Sequence, residues 1–260
     1  MIPIIGVQVT PTSYTEATQQ VRLWAQKAES RSVYAANVHM LMEAFDSPDL
    51  MEILNHADMI TPDGMPLVWM LRCKGQTSQE RVYGPTLMLH VLEMASRENI
   101  PVGFYGGDVS TLEKLISSLR LRYPGINVAY AFSPPYRPMD KQESDGVVAE
   151  ITRSGARILF VGLGCPKQEI WIAKQKGRIP VIMLAVGAAF DFHAGLKSQA
   201  PDWMQRIGLE WLFRFIQEPR RLWRRYLYHN PRFVILALLD LLNSKYSGSA
   251  ARNESGHFIK

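Results

Sequence analysis

The sequence predicts an α/β fold with a doubly wound, Rossmann-like, mostly parallel sheet, followed by a helical appendage. Two short apolar runs, 158–161 and 181–186, have the length and composition of strands buried on both faces of a parallel sheet. Each run leads into a loop of small residues, and the first loop is followed by a helix that starts near Pro166. Strand and helix patterns alternate through most of the chain, as in sheets covered by helices on both faces.

The other elements follow from apolar runs, glycine turns and proline breaks. Residues 2–9 form the first strand or hairpin arm, and a tight turn at 62–64 marks the end of another strand. The apolar stretch 65–73 predicts a helix that is buried on all sides. Further strands are expected at 32–36, 101–105 and 126–132, and helices at 14–28, 40–56, 87–97, 110–123 and 142–154.

Length and composition limit the class of protein. The 260 residues suffice for one large domain with an appendage, and the net charge of +5 is modest. Cys73 and Cys165 lie far apart and outside any CxxC spacing, which indicates a reducing compartment. The first residues lack signal-peptide features, and no apolar segment approaches the roughly 20 residues of a membrane-spanning helix. We therefore expect a cytosolic protein.

The glycine turn after the first apolar run is a candidate anion site. Gly162 and Gly164 precede a helix whose first backbone N–H groups favour a diphosphate. Such turns are common in α/β proteins, so its shape alone leaves a phosphate role and an ordinary turn equally open. The turn lacks the third glycine of the dinucleotide fingerprint. The long polar side chains of Lys167, Gln168 and Glu169 favour a binding role.

A second candidate position is Asp63, between a proline and a glycine at a strand end. Taken alone, this aspartate is best interpreted as the N-cap of the following helix. An arginine, Arg81, lies in a further loop that precedes a helix.

The C-terminal part differs in character from the rest. We divide the chain into a sheet domain at 1–200, a basic and aromatic helical appendage at 201–246, and a disordered tail at 247–260. Pro219 is expected to end one appendage helix, and an apolar run at 233–242, too short to span a bilayer, follows Asn230-Pro231.

Charged and aromatic residues are interleaved along the appendage. Arg206, Glu210 and Arg214 have the i, i+4 spacing of one helix face. Basic residues beside aromatic ones suggest helices lying on an anionic membrane surface. A helix packed on the core with solvated arginines is nearly as well supported, and nucleic-acid binding is a weaker third alternative. The basic residues of the second helix are Arg220, Arg221, Arg224 and Arg225.

Taken together, the loops resemble the WecG/TagA/CpsF family of bacterial glycosyltransferases, over about residues 32–226. The two most specific motifs are GLGCPKQE at 162–169 and the pair GLEW…EPRR at 208–221. Shorter matching pieces, in the family order, are 37–39, 61–64, 81–84, 105–107, 123–125, 186–191 and 200–201.

The resemblance implies a reaction and its partners. Such enzymes transfer a sugar from a UDP-sugar to a polyprenyl-diphosphate-linked sugar, with inversion, at the inner face of the bacterial cytoplasmic membrane. They build exopolysaccharide, common antigen or wall teichoic acid. The resemblance therefore implies a peripheral membrane hexosyltransferase that needs no cofactor and binds no nucleic acid, and it leaves homo-oligomerisation open.

The resemblance also assigns roles to residues. Asp63 becomes the candidate general base, with Arg81 as the second candidate catalytic residue, and Asp191 is a second carboxylate that keeps the choice of base open. The sequence has no Asp-x-Asp pair and no clustered histidines at metal-ligand spacing, so arginines are expected in place of a metal ion. Arg81, Gln168 and Asp191 are expected to contact the donor, and Tyr136 is expected to contact substrate. Other residues expected beside the donor are Asn37, Gly162, Gly164 and Lys167. The appendage arginines expected to fold over the site are Arg214, Arg221 and Arg224.

The sequence departs from the family pattern in three places. Ala35 replaces a usual threonine, and Cys165 replaces a usual serine in the glycine turn. The proline loop at 133–138 suggests an exopolysaccharide subgroup with a glucose donor in place of N-acetylmannosamine. Two other functions remain as alternatives: a nucleotide-dependent oxidoreductase, which the missing third glycine disfavours, and a non-catalytic module that binds lipid-linked glycan through the appendage.

Overall fold

A computed structural model describes residues 1–254, and for residues 224, 225 and 244–254 it describes the backbone alone. The strands are β1 (Ile2–Ile4), β2 (Val7–Val9), β3 (Arg31–Ala36), β4 (Met59–Pro62), β5 (Val102–Gly106), β6 (Val128–Phe132), β7 (Ile158–Gly162) and β8 (Ile182–Ala185). The helices are α1 (Tyr14–Gln26), α2 (Val38–Asp46), α3 (Pro48–Asn55), α4 (Met65–Cys73), α5 (Gly84–Arg97), α6 (Val109–Arg122), α7 (Lys141–Ser154), α8 (Lys167–Gln175), α9 (Ala189–His193), α10 (Asp202–Arg206), α11 (Glu210–Gln217) and α12 (Pro219–Glu254).

Six strands form one parallel sheet in the order β4-β3-β8-β7-β5-β6, and β1 and β2 form a separate antiparallel hairpin. The strands that occur late in the chain, β7 and β8, lie in the middle of the sheet, between β3 and β5. This order brings the carboxyl ends of β3, β4, β7 and β8 together at one edge of the sheet, where sheets of this kind bind ligands.

Both faces of the sheet are covered, which confirms the doubly wound α/β prediction. Neighbouring residues point to opposite sides: Tyr34 and Val161 belong to one buried apolar cluster, and Val33 and Phe160 belong to the other. All four are at most 2% exposed. Continuous apolar strands therefore reflect burial on two faces rather than one.

Two predicted helices differ from the observed ones. The helix expected at 40–56 is two helices, because Pro48 starts α3 and the Ser47 hydroxyl accepts a hydrogen bond from the Leu50 N–H at 3.3 Å. Helix α4 is not buried all round. Trp69 is 46% exposed, and Arg72 and Cys73 are exposed as well, while Leu67, Val68, Met70 and Leu71 are buried.

The appendage is arranged differently from its prediction. Gly208, with a φ of 77°, separates α10 from α11, so Arg206 and Glu210 lie on different helices. Pro219 does begin a new helix, as expected. That helix, α12, then continues through Pro231, and its helical backbone extends to Glu254.

Packing explains why α12 continues past the proline. Buried side chains on both sides of Pro231 hold α12 against the sheet domain, and this tertiary contact outweighs the lost backbone hydrogen bond. Asp240 adds an ion pair with Lys74 of α4 at 3.0 Å. The buried residues among the described side chains of α12 are Leu222, Tyr226, His229, Phe233 and Ala237.

The division into three segments at 200 and 246 stays a prediction. Among the helices of residues 1–254, none is long and apolar enough to cross a bilayer.

Candidate active site

A large cavity opens at the carboxyl edge of the sheet, with a volume of about 1020 Å³. Loops that follow all six strands of the parallel sheet line it, as expected for a ligand site of this fold. Ten of the predicted site residues lie on its wall: Asn37, Asp63, Tyr136, Gly162, Gly164, Lys167, Gln168, Asp191, Arg214 and Arg221. The structure thus brings together most of the residues that the sequence analysis selected.

Asp63 is the buried carboxylate of this cavity, with 8% of the residue exposed. Its Oδ1 accepts a hydrogen bond from the Gly84 N–H at 3.0 Å, and its Oδ2 accepts one from the Asn37 side-chain amide at 3.4 Å. The N-cap interpretation of Asp63 is wrong, because Gly64 is the N-cap of α4 and no side chain caps that helix. Asp63 lies in the loop after β4, and its hydrogen bonds connect this loop to the loop after β3 and to the start of α5.

Asn37 has two roles that its position dictates. As the N-cap of α2, its Oδ1 accepts a hydrogen bond from the Met40 N–H at 3.3 Å. Its Nδ2 therefore points the other way and donates to Asp63. Because the cap fixes the amide orientation, the carboxylate of Asp63 faces a donor rather than an acceptor.

Burial raises the pKa of Asp63 above its usual value of 3.8, and the nearby carboxylate of Glu210 raises it further. Arg81 and the hydrogen bonds from Gly84 and Asn37 act in the opposite direction. A carboxylate with a raised pKa is a stronger base than one exposed to water, so these surroundings suit proton abstraction.

Arg81 lies on the other side of Asp63 from the large cavity. One guanidinium nitrogen is 3.8 Å from Asp63 Oδ1, and Nε donates a short hydrogen bond to the Asp63 carbonyl. The same guanidinium pairs with Glu210 at 2.5 Å and stacks on the Tyr83 ring, 4.1 Å from its centroid. Arg81 is therefore placed to hold Asp63, whereas its predicted contact with the donor stays a prediction.

Glu210 is a residue whose importance the sequence analysis missed. It begins α11 and is buried, and its Oε1 accepts a hydrogen bond from the Tyr83 hydroxyl at 3.1 Å. Arg214, one turn later, is 3.8 Å from it. Through Glu210 the appendage reaches the residues that support Asp63. Its position in the GLEW motif is the sequence feature that could have identified it.

The glycine turn carries Gln168 on its inner side. The Gln168 Oε1 accepts a hydrogen bond from the Gly164 N–H at 3.2 Å, and its Nε2 donates to Glu169 at 2.8 Å. Glu169 is fully buried, and that burial raises its pKa. A carboxyl group beneath the turn thus fixes the orientation of Gln168 at the cavity wall.

Two glycines of this region are required for different reasons. A Cβ on Gly162 would lie 2.7 Å from the Phe190 ring, so only glycine allows this close packing. Gly164 has a φ of 80°, which a residue with a side chain rarely adopts.

Charged side chains close the outer part of the cavity. Asp191 pairs with Lys197 at 2.9 Å, and Lys197 also lies 3.4 Å from Glu218. Glu218 accepts a short hydrogen bond from Arg221. Asp191 is thus an ion-paired carboxylate with 31% of its side chain exposed, in contrast to Asp63. Tyr136 stands at the rim and is 97% exposed. The side chain of Arg224 lies outside the described residues.

A second, mostly apolar cavity of about 530 Å³ lies between α4 and the appendage helices. Trp69, Trp211 and Phe233 contribute to its wall. Four residues line both cavities: Asn37, His39, Asp63 and Arg214. Asp63 therefore stands where the apolar cavity meets the larger one, which we call the polar cavity because lysine and arginine side chains line part of it.

Comparisons with known proteins identify the family of this chain. Residues 2–247 match the model of the family described as Glycosyl transferase WecG/TagA/CpsF. A protein of Bacillus spizizenii (strain ATCC 23059 / NRRL B-14472 / W23), named N-acetylglucosaminyldiphosphoundecaprenol N-acetyl-beta-D-mannosaminyltransferase, is 31% identical over 207 residues, which cover 79% of this chain and 78% of the relative. A protein of the same name from Bacillus subtilis (strain 168) is 28% identical over 214 residues, covering 82% and 81% of the two chains. The chain belongs to the WecG/TagA/CpsF family and is a glycosyltransferase.

Proposed function

We propose that this glycosyltransferase moves a sugar from a UDP-sugar to a polyprenyl-diphosphate-linked sugar, with inversion at the anomeric carbon. The observation that carries this proposal is the position of Asp63. It lines both the polar cavity, which suits a nucleotide sugar, and the apolar cavity, which suits a lipid-linked acceptor.

The reaction is a single displacement with Asp63 as the general base. An acceptor hydroxyl attacks the anomeric carbon and gives its proton to the Asp63 carboxylate. The bond from the anomeric carbon to the diphosphate oxygen breaks, and UDP leaves with the electron pair. Asp191 is the weaker candidate for the base because it is exposed and paired with Lys197.

Cationic side chains stabilise the leaving diphosphate in this proposal. Lys167, Lys197, Arg214 and Arg221 line the polar cavity, and α8 begins directly after the glycine turn. Gln168 is held at the same wall and is assigned to donor binding. These groups supply positive charge and hydrogen bonds where negative charge develops.

The acceptor is assigned to the apolar cavity. Its wall is formed by aromatic and aliphatic side chains of α4 and the appendage, with Asp63 and Arg214 at its inner end. With the acceptor sugar beside Asp63, the first lipid units would lie along the apolar wall. The relatives are named for an undecaprenol-diphosphate acceptor that carries N-acetylglucosamine, which supports this assignment.

The appendage is assigned to the membrane surface. Large apolar side chains are more than half exposed on the outer face of α10, α11 and α12, and arginines lie among them. A surface of this composition suits the boundary of an anionic bilayer. The exposed residues include Trp203, Ile207, Ile216, Trp223, Leu227, Val234, Ile235 and Leu238.

The first experiment is a transfer assay with a short-chain polyprenyl-diphosphate-N-acetylglucosamine and a panel of UDP-sugars. UDP release and product mass are measured with and without the acceptor. The relatives' names favour UDP-N-acetylmannosamine, whereas the proline loop of the sequence favours UDP-glucose. Acceptor-dependent release with one donor supports the proposal, and binding of the acceptor without turnover of any donor would instead indicate a non-catalytic module.

Membrane association is tested separately with vesicles. Full-length protein is expected to sediment with anionic vesicles and less with zwitterionic ones, and a chain lacking residues 203–260 is expected to stay in the supernatant. Unchanged sedimentation of the shortened chain would contradict the role of the appendage.

A further inference from the structure

Helix α12 meets α2 beside the two cavities, and their contact contains two histidines and a glutamate. His39 and Glu43 lie one turn apart on α2, and His229 lies on α12. One ligand atom from each residue can be chosen so that all three lie within 4.8 Å of one another. The sequence analysis found no histidine cluster because His39 and His229 are far apart in the chain.

The distances agree with shared metal coordination. The His39 Nδ1 is 3.6 Å from the Glu43 Oε1, and the His229 Nε2 is 3.4 Å from the same oxygen. Two ligands bound to one zinc ion at 2.0–2.1 Å lie about 3.4 Å apart in tetrahedral geometry. Small side-chain rotations would therefore be enough to place the three atoms around one ion.

We propose that His39, Glu43 and His229 form a binding site for a divalent transition-metal ion of the zinc class, which clamps the appendage helix α12 to α2. Two imidazoles and one carboxylate are a ligand set typical of zinc and leave a fourth position open. Nitrogen ligands favour zinc, nickel or copper over magnesium or calcium.

The surroundings suit such an ion. The side chains of His229 and His39 are 10% and 16% exposed, and that of Glu43 is 34% exposed, so the ligands are held by packing while an ion can still enter. The guanidinium of Arg232, three residues after His229 on α12, makes two hydrogen bonds to Asp46, at 2.6 and 2.8 Å. The Asp46 carboxylate thus compensates the positive charge of Arg232, which reduces its repulsion of a cation bound nearby.

The proposed clamp goes beyond the transfer reaction. His39 lines both cavities, so the ion would lie at the boundary of the active site without contacting Asp63 in the proposed step. By joining α12 to α2 it would fix the appendage arginines relative to the sheet domain. The proposal can be tested by metal binding alone, so its failure would leave the transfer reaction unaffected.

The test uses untagged full-length protein that has been treated with EDTA and then titrated with zinc chloride in a calorimeter. One zinc ion per chain is expected. Because binding stabilises only the folded chain, about a hundredfold excess of free zinc over Kd should shift the unfolding equilibrium about 100-fold. For a chain of this size that corresponds to a rise in Tm of about 5–10 °C. Magnesium and calcium at the same concentrations are expected to leave the Tm unchanged.

Single substitutions test which side chains bind the metal ion. Glu43→Gln keeps the shape of the side chain and His229→Ala removes one ligand, and each should abolish the calorimetric signal and the rise in Tm. The control is His56→Ala, because His56, like His39, lies four residues from a glutamate, in this case Glu52, but is exposed and far from α12 in the chain. The Tm of each variant in EDTA establishes that it is folded. Absence of zinc binding to the wild-type protein, or full binding by a folded Glu43→Gln variant, would overturn the proposal.

Discussion

Replacement of Asp63 by asparagine tests the proposed base with little change of shape. An asparagine can still accept the hydrogen bond from the Gly84 N–H, and Arg81 keeps its ion pair with Glu210 at 2.5 Å. Its amide nitrogen, however, can no longer accept the hydrogen bond from Asn37 or take up a proton. Loss of a general base typically lowers the rate about 10²–10⁴-fold, and we expect kcat of Asp63→Asn to fall within this range.

Stability should not account for that loss. Burial raises the pKa of Asp63, so the ionised carboxylate costs folding free energy at neutral pH. The asparagine variant is relieved of this cost and loses one hydrogen bond of about 1 kcal/mol. These effects oppose each other, and we expect the Tm of the variant to stay within a few degrees of the wild type.

The assay is acceptor-dependent UDP release, measured as a function of pH. Activity of the wild-type enzyme should fall as the pH drops through the raised pKa of Asp63, because the protonated carboxyl cannot act as a base. In Asp63→Asn this acidic limb should disappear. The control is Asp191→Asn, which removes an exposed, ion-paired carboxylate and should mainly raise the KM for the donor. The assignment is refuted if Asp63→Asn keeps wild-type kcat while Asp191→Asn loses it.

Three further predictions concern the supporting residues. Glu210→Gln leaves the buried guanidinium of Arg81 without its closest carboxylate. The free energy of unfolding should therefore fall by about 1–3 kcal/mol, and kcat should also fall. An unchanged urea midpoint and an unchanged kcat would contradict this prediction. Because burial raises the pKa of Glu169, wild-type stability should decrease as the pH rises from the usual glutamate pKa through the raised value, and Glu169→Gln should lack this dependence in thermal melts from pH 4 to 8. Gly162→Ala should cost about 1–3 kcal/mol through overpacking, whereas Gly146→Ala, an exposed helical position with open space, should add about 0.5–1 kcal/mol; equal denaturation midpoints for the two variants would be inconsistent with the observed packing.

The fold could be predicted from the sequence because its signals are local. Apolar runs of strand length, glycines at strand ends and prolines at helix starts each act within a few residues, and parallel strands place their carboxyl ends at one edge. Eight of the predicted site residues line the same cavity for that reason, whereas Arg214 and Arg221 reach it from the appendage helices. Where packing decided the outcome, as for α4 with its exposed Trp69, the sequence prediction of burial on all sides was wrong.

Tertiary structure decided the features that depend on distant residues. The burial of Asp63, which raises its pKa, and the pairing of Arg81 with Glu210 arise only when α11 packs against the loops of the sheet domain. The approach of His229 to Glu43 likewise depends on where α12 lies. A local pattern carries no information on such contacts, because Coulomb interactions and desolvation depend on distance in space. The sequence by itself determined which side chains stand at the carboxyl edge of the sheet, and the packing of the appendage decided which charges they meet there.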